Sequence, residues 1–268
     1  MLLVEPPRSH YDLHFPLAGV PVRVHPYFWI AALLLGFQPG RSSAQLLIWI
    51  GSMFVSIVVH EMGHALAIRR YGWQPRVTLY HLGGLASYDA SETSDYSYNA
   101  HQDSPLAKIV IAAAGPAAGF ALAALIVVIA WAVNRPIDFV TGGPLGFDWH
   151  LDAFSSLKTK TLINDMLFIN IFWGLMNLLP VFPLDGGQIA MQLLEARRPH
   201  EGIVQALWLS VFTGAAVAVL ALARFGFDRD GLFIALMFGL LAAQCYLTLK
   251  RLRGSGYGSG DYRSNRDW

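Results

Sequence analysis

His60-Glu61-Met62-Gly63-His64 places two imidazoles and a carboxylate within a single helical turn's reach. On a helix, residues four apart share a face, so His60 and His64 can both reach one Zn²⁺ with nitrogen ligands at about 2.0–2.1 Å. Glu61 projects beside them and can take a proton from a water activated there. A short match of this kind is weak in isolation, because a pair of helix-surface histidines with no metal would read the same. Its surroundings argue against that reading. The motif ends a charge-free run from Ser42 to Val59, and ionisable groups inside a membrane span are costly and default to functional roles.

A catalytic zinc usually takes three protein ligands and keeps a further position open, so another His, Asp or Glu is expected at the same depth. Asp185 is the candidate. It follows the charge-free run from Met166 to Leu184 and stands in Asn177-Leu178-Leu179-Pro180-Val181-Phe182-Pro183-Leu184-Asp185-Gly186-Gly187. Pro180 and Pro183 cannot both occupy an undisturbed helix interior, and Gly186-Gly187 relaxes the backbone again, so this span is expected to break near its end. Broken backbone survives in a bilayer only where it lines a protein cavity or water. Its freed amide and carbonyl groups, from Asn177 to Pro180, could pair with an extended peptide. The plainer reading makes Asp185 the point where the span meets water, with the prolines as a helix stop.

These groups need a membrane scaffold, and composition supplies one. With 54% hydrophobic and 14% charged residues in 268, the chain has too few charges to cover a globular surface of its size. The expected fold is an all-α membrane protein in a lipid bilayer, with about six transmembrane helices and a membrane-associated β-hairpin between the second and third. The candidate spans are Val24 to Gly40, Ser42 to Val59 continuing past the motif, Ile109 to Asn134, Met166 to Leu184, Gly202 to Ala223 and Gly231 to Leu249. Residues 1–23 then form an amino-terminal cytoplasmic segment, 24–249 a multi-pass transmembrane domain, and 250–268 a disordered tail. An even number of spans puts both termini on one side. That side receives 13 of the 19 basic residues, Arg69 and Arg70 among them, which places the termini in the cytoplasm.

The formal net charge of +1 hides no basic or acidic block, so nucleic acid is not an expected partner. Cys245 is the only cysteine, which excludes a disulfide within the chain. The first residues, with Glu5, two prolines and Asp12 ahead of any apolar run, do not read as a cleavable signal peptide. Thr78 to Tyr88 carries β-favouring residues around Gly83-Gly84, the pattern of a hairpin. The polar stretch from Asp89 to Ser104 reads as a loop, and that from Arg135 to Lys160 as an external one. Gly115-Pro116-Ala117-Ala118-Gly119 has the small-residue spacing that lets membrane helices approach closely. His81 reads as a polar hairpin residue rather than a further ligand, His25 as an interfacial residue, and Asp165 and Glu195 as solvated flanks of spans.

The motif at His60 to His64, Asn177 and Leu184-Asp185-Gly186 together make the chain similar to the site-2 protease family of intramembrane zinc metalloproteases. Ala114-Gly115-Pro116 and the Gly83-Gly84 hairpin extend the likeness from about His25 to Gln188. The resemblance implies one Zn²⁺ per chain bound by His60, His64 and Asp185, with Glu61 as catalytic base. It also implies that Asn177 holds substrate backbone or steadies the tetrahedral intermediate. Two features depart from the pattern. Gly119 stands where many relatives have Asn, and the chain has room for neither the PDZ domain nor the CBS pair of larger members, so it reads as a minimal form.

The function expected on these grounds is hydrolysis of a peptide bond in or near the transmembrane segment of a membrane-protein substrate. The unwound substrate would pair with Gly83, Gly84 and the freed backbone around Asn177 and Pro180. Oligomeric state is left open. Three rivals make different demands. An M48-like metalloprotease would draw its third ligand from a Glu on a following helix, yet no Glu occurs between Glu92 and Glu195. A non-catalytic zinc-binding membrane regulator would not need Glu61. A metal transporter would carry ionisable residues on several spans, whereas here they gather at one site.

Overall fold

The computed structural model describes residues 6–81, 83–88, 104–141, 147–199 and 201–254. The polar stretch 89–103, the glycines at 142 and 143, and the tail 255–268 lie outside the described residues. The chain divides into two units, Met1–Leu178 and Leu179–Trp268.

The first unit opens on a hairpin of β1 (Leu13–Leu17) and β2 (Val20–Val24). Ala18 and Gly19 turn it, both with positive φ, as the twist of a tight hairpin requires. β2 pairs in parallel with β3 (Pro75–Tyr80), and β3 pairs antiparallel with β4 (Gly83–Tyr88), giving the sheet order β1-β2-β3-β4. The expected hairpin is therefore present, but as half of a larger sheet whose other half falls where only a cytoplasmic segment was expected. Prolines at 16 and 21 mask the strand signal. They face each other in the β1–β2 register, and the β2–β3 ladder begins only at Val22, so the missing N–H of Pro21 costs no bond there. Val20, Val22, Val24, Val77 and Leu79 form the buried face of the sheet, packed with Phe28 and Ala32 and with Met53, Ile57, Val58, Met62 and Ala65.

Those partners come from α1 (Pro26–Gly36) and α2 (Ser43–Arg70). α1 is capped by His25, whose Nδ1 accepts the Tyr27 N–H at 3.2 Å; His25 is thus a buried helix cap rather than an interfacial residue. α2 starts at a capping box in which Ser42 and Gln45 satisfy each other's backbone N–H, and it ends on Arg69 and Arg70, which suit the negative end of the helix dipole. α3 (Pro105–Ala132) is capped by Ser104 and carries Pro116 in its interior. β5 (Asp138–Thr141) and β6 (Phe147–His150) form a second hairpin in the stretch expected to be loop.

α4 (Leu157–Phe168) runs through a π-helical turn at Ile169–Trp173 into the short α5 (Gly174–Asn177). Two polar links tie α4 and its π turn to the start and middle of α2. Asp165, expected to be solvated, is 2% exposed and accepts from Arg41 at 3.0 and 3.2 Å. The Asn170 amide donates to Ser56 Oγ and to Met166 O, both at 2.8 Å.

The second unit begins with a non-helical stretch, 179–184, followed by α6 (Asp185–Arg197), α7 (Gly202–Phe225) and α8 (Arg229–Gly254). α7 and α8 pack closely at Gly214, where a Cβ would lie 3.1 Å from Phe238 O and from Ala242 Cβ. The same pair secures the non-helical stretch. Phe182 N–H donates to Ser210 Oγ on α7 at 3.0 Å, and Cys245 Sγ on α8 donates to Phe182 O at 3.3 Å. In a bilayer such backbone groups have no water to turn to, so these side chains substitute for the lost helical bonds. The lone cysteine is a buried structural donor.

Among the described residues, four helices are long and apolar enough to cross a membrane: Ser43–Arg70, Pro105–Ala132, Gly202–Phe225 and Gly231–Leu252. They make the chain an integral membrane protein, and their outward residues, such as Leu125, Val128, Phe212, Val219, Leu220 and Leu236, are exposed apolar groups suited to lipid. The other two of the six expected spans take different forms. Val24 to Gly40 is the end of β2 plus an 11-residue helix. Met166 to Leu184 is helical only to Asn177, then leaves the helix through Pro180 and Pro183.

Candidate metal and catalytic centre

α2 holds His60, Glu61 and His64 in its second half, at 8%, 5% and 8% exposure. The helix brings the two imidazoles onto one face with their Nε2 atoms 3.2 Å apart. Two nitrogens bound tetrahedrally to one zinc at the usual bond length would be separated by about 3.3 Å, so the pair has the spacing a shared ion needs. His64 Nδ1 lies 2.7 Å from the carbonyl oxygen of Ile111 on α3. A carbonyl can only accept, so Nδ1 carries the proton and the lone pair of a neutral ring is left at Nε2, on the side of His60.

Glycines let backbone approach this helix. A Cβ at Gly63 would overlap Ala114 O and crowd Ala118 Cβ, so α2 and α3 meet there without an intervening side chain. The small-residue stretch of α3 expected to pack closely does so here. A Cβ at Gly84 would overlap Cγ, Cδ and Oε1 of Glu61, which sets β4 directly against the carboxylate. Gly83, with φ +116, needs the freedom of glycine and comes near Trp173. β4 pairs only with β3 among the described residues, so its other side is a sheet edge. The fold thus places Gly84 beside Glu61 and Gly83 beside Trp173. His81 is exposed and makes edge contacts with Tyr27 and Tyr80.

Asn177 is the last residue of α5, half-buried, where the helix ends with Leu178 N–H on Gly174 O. In the second unit Pro180 is half-buried in the non-helical stretch, and Asp185 is the first residue of α6, 7% exposed. A carboxylate there is favoured by the positive end of the helix dipole. Gly187 is required nearby, because a Cβ would overlap the backbone of Val181 and Phe182. Sequence reasoning missed the Ile111 carbonyl, which has no side-chain signature, and the strands that carry β4.

A model of Peptidase family M50 matches residues 48–221. "Zinc metalloprotease MJ0392" of Methanocaldococcus jannaschii is 25% identical over 240 residues, covering 89% of this chain and 56% of that one. "Stage IV sporulation protein FB" of Bacillus subtilis is 26% identical over 67% of this chain and 50% of its own length. The chain spans about half the length of the curated relatives it matches. A solved structure titled "Site-2 Protease from Methanocaldococcus jannaschii" aligns with a TM-score of 0.48 at 22% identity, over 96% of this chain and 100% of that one.

Proposed function

We propose, since the chain belongs to peptidase family M50, that it is an intramembrane zinc metalloprotease that hydrolyses a peptide bond in or near the transmembrane segment of a membrane-protein substrate. The observation that carries the reading is the 3.2 Å separation of His60 Nε2 and His64 Nε2, on a helix of crossing length and next to a buried glutamate. Asp185 is the third ligand. Two imidazole nitrogens and a carboxylate oxygen are a donor set suited to zinc, and the family likeness at Leu184-Asp185-Gly186 is what supports Asp185 in that role.

Bound there, zinc supplies Lewis acidity toward a carbonyl oxygen and toward water. Glu61 takes one proton from the attacking water as the new C–O bond forms, and delivers it to the amide nitrogen as the C–N bond breaks. Burial of Glu61 keeps bulk water from competing for that proton. The substrate must be extended, because a helix hides its amides. The edge of β4 that no described strand pairs with would offer backbone partners at Gly83 and at Gly84, the latter beside Glu61, and the backbone that leaves the helix after Asn177, at Pro180, would offer more.

The test is Glu61→Gln in the purified chain, assayed with a single-span peptide and mass spectrometry of the products. Cleavage is expected to fall by about 10²–10⁴-fold, with zinc content staying near that of the wild-type chain. Undiminished cleavage removes Glu61 from the chemistry. The distribution of basic residues supports cytoplasmic termini, and likeness to small family members supports a prokaryotic plasma membrane; a carboxyl-terminal alkaline phosphatase fusion tests the orientation by staying inactive.

A further inference from the structure

Resting on the zinc reading above, we propose that the backbone of α3, at Ile111 and Gly115, is the positioning element that aims His64 at the metal. His64 has two ring nitrogens, and as a ligand through Nε2 it must keep its proton on Nδ1. The Ile111 carbonyl accepts from Nδ1 at 2.7 Å, which selects that tautomer and fixes the rotation of the ring. Gly115 lies one helical turn beyond Ile111. A Cβ there would overlap His64 Nε2, Cε1 and Cδ2, so the Nε2 end of the ring lies against bare backbone. Any side chain at 115 would push the imidazole away from the carbonyl that holds it and from His60, whose Nε2 is 3.2 Å distant.

Two neighbours make the close approach feasible. Gly63 lets α2 sit against Ala114 O, which brings the Ile111 carbonyl within reach. Pro116 lacks the N–H that would bond to Ala112 O, so the ladder of α3 is already interrupted beside the point where Ile111 turns its oxygen to the histidine. Ile111 and Gly115 act through His64, and neither needs to touch substrate. A role in helix packing alone would be felt in stability and would leave the tautomer and the metal affinity unchanged.

The experiment uses the full chain in detergent, with ¹⁵N-labelled histidine for the tautomer and a zinc-chelator competition for affinity. In the metal-free wild-type chain, His64 is expected to carry its proton on Nδ1. Gly115→Ala should bind zinc about 10–100-fold more weakly and give an altered Co²⁺ absorption spectrum. Gly119→Ala, one turn further along α3 where the nearest atom to a new Cβ is Asn170 Oδ1 at 3.4 Å, should bind zinc as the wild type does. A proton on Nε2 in the wild-type chain, or wild-type zinc affinity in Gly115→Ala, overturns the inference. If the wild-type chain takes up no zinc, the metal reading falls and this inference with it; zinc uptake by wild type and Gly115→Ala alike removes this inference alone. The tautomer measurement needs no variant, so it stands even if Gly115→Ala fails to fold.

Discussion

His60 and His64 ride on one unbroken, capped helix, whereas Asp185 begins a new helix after a stretch, 179–184, that belongs to no regular element. In α2 the spacing of the two histidines is set by helical geometry, and the surroundings refine it through a carbonyl and a few bare glycines. In the second unit the position of Asp185 depends on how an irregular backbone is tied down, by Ser210, by Cys245 and by the close return of Gly187. A local device holds the two proposed histidine ligands, and a long-range one holds the proposed third. The first should tolerate change in its neighbours poorly at the level of chemistry, and the second at the level of folding.

Removing ligands is the largest perturbation of both. His60→Ala and Asp185→Ala are each expected to lose zinc and reduce cleavage to background; a variant that keeps wild-type zinc affinity shows that its residue is not a ligand. Gly84→Ala probes the first region alone. Its methyl group would displace the Glu61 carboxylate, so cleavage should fall by about 10²-fold, the scale of an ångström's misplacement, with zinc affinity unchanged. Equal losses of both would make β4 part of the metal site instead. In the second region, Gly187→Ala forces a Cβ into the backbone of Val181 and Phe182 and should destabilise by about 1–3 kcal/mol, read as earlier thermal unfolding in detergent. Ser210→Ala removes the acceptor of the Phe182 N–H and, with no water to replace it, should cost about 1–3 kcal/mol. If these two variants lowered cleavage with no change in thermal unfolding, the division between chemical and structural sensitivity would fail.

Much of the candidate site was legible in residue order because its logic is periodic. Four-residue spacing on a helix puts two histidines on one face whatever packs against it, and a carboxylate after a charge-free, proline-broken run stands out in any apolar sequence. Four charge-free windows proved to be helices of crossing length for the same reason. The departures come from interactions with no periodic signature. β1 and β2 were hidden by their prolines and became visible only through their register with β3. Asp165 looked like a solvated flank, but its partner Arg41 lies 124 positions away in the chain. Gly115 looked like a packing residue, and its distinctive contact is with a histidine ring on another helix.

Sequence alone determined the kinds of atoms available for chemistry: two imidazoles in helical register, one adjacent glutamate, and a lone aspartate at the end of an apolar run. Tertiary structure decided how those atoms are oriented, which nitrogen of His64 faces the Ile111 carbonyl and what lies against Glu61. Helical spacing is a property of neighbouring residues along the chain. The direction of a side chain depends on what it meets, and here it meets the backbone of α3 and of β4, which no local pattern specifies.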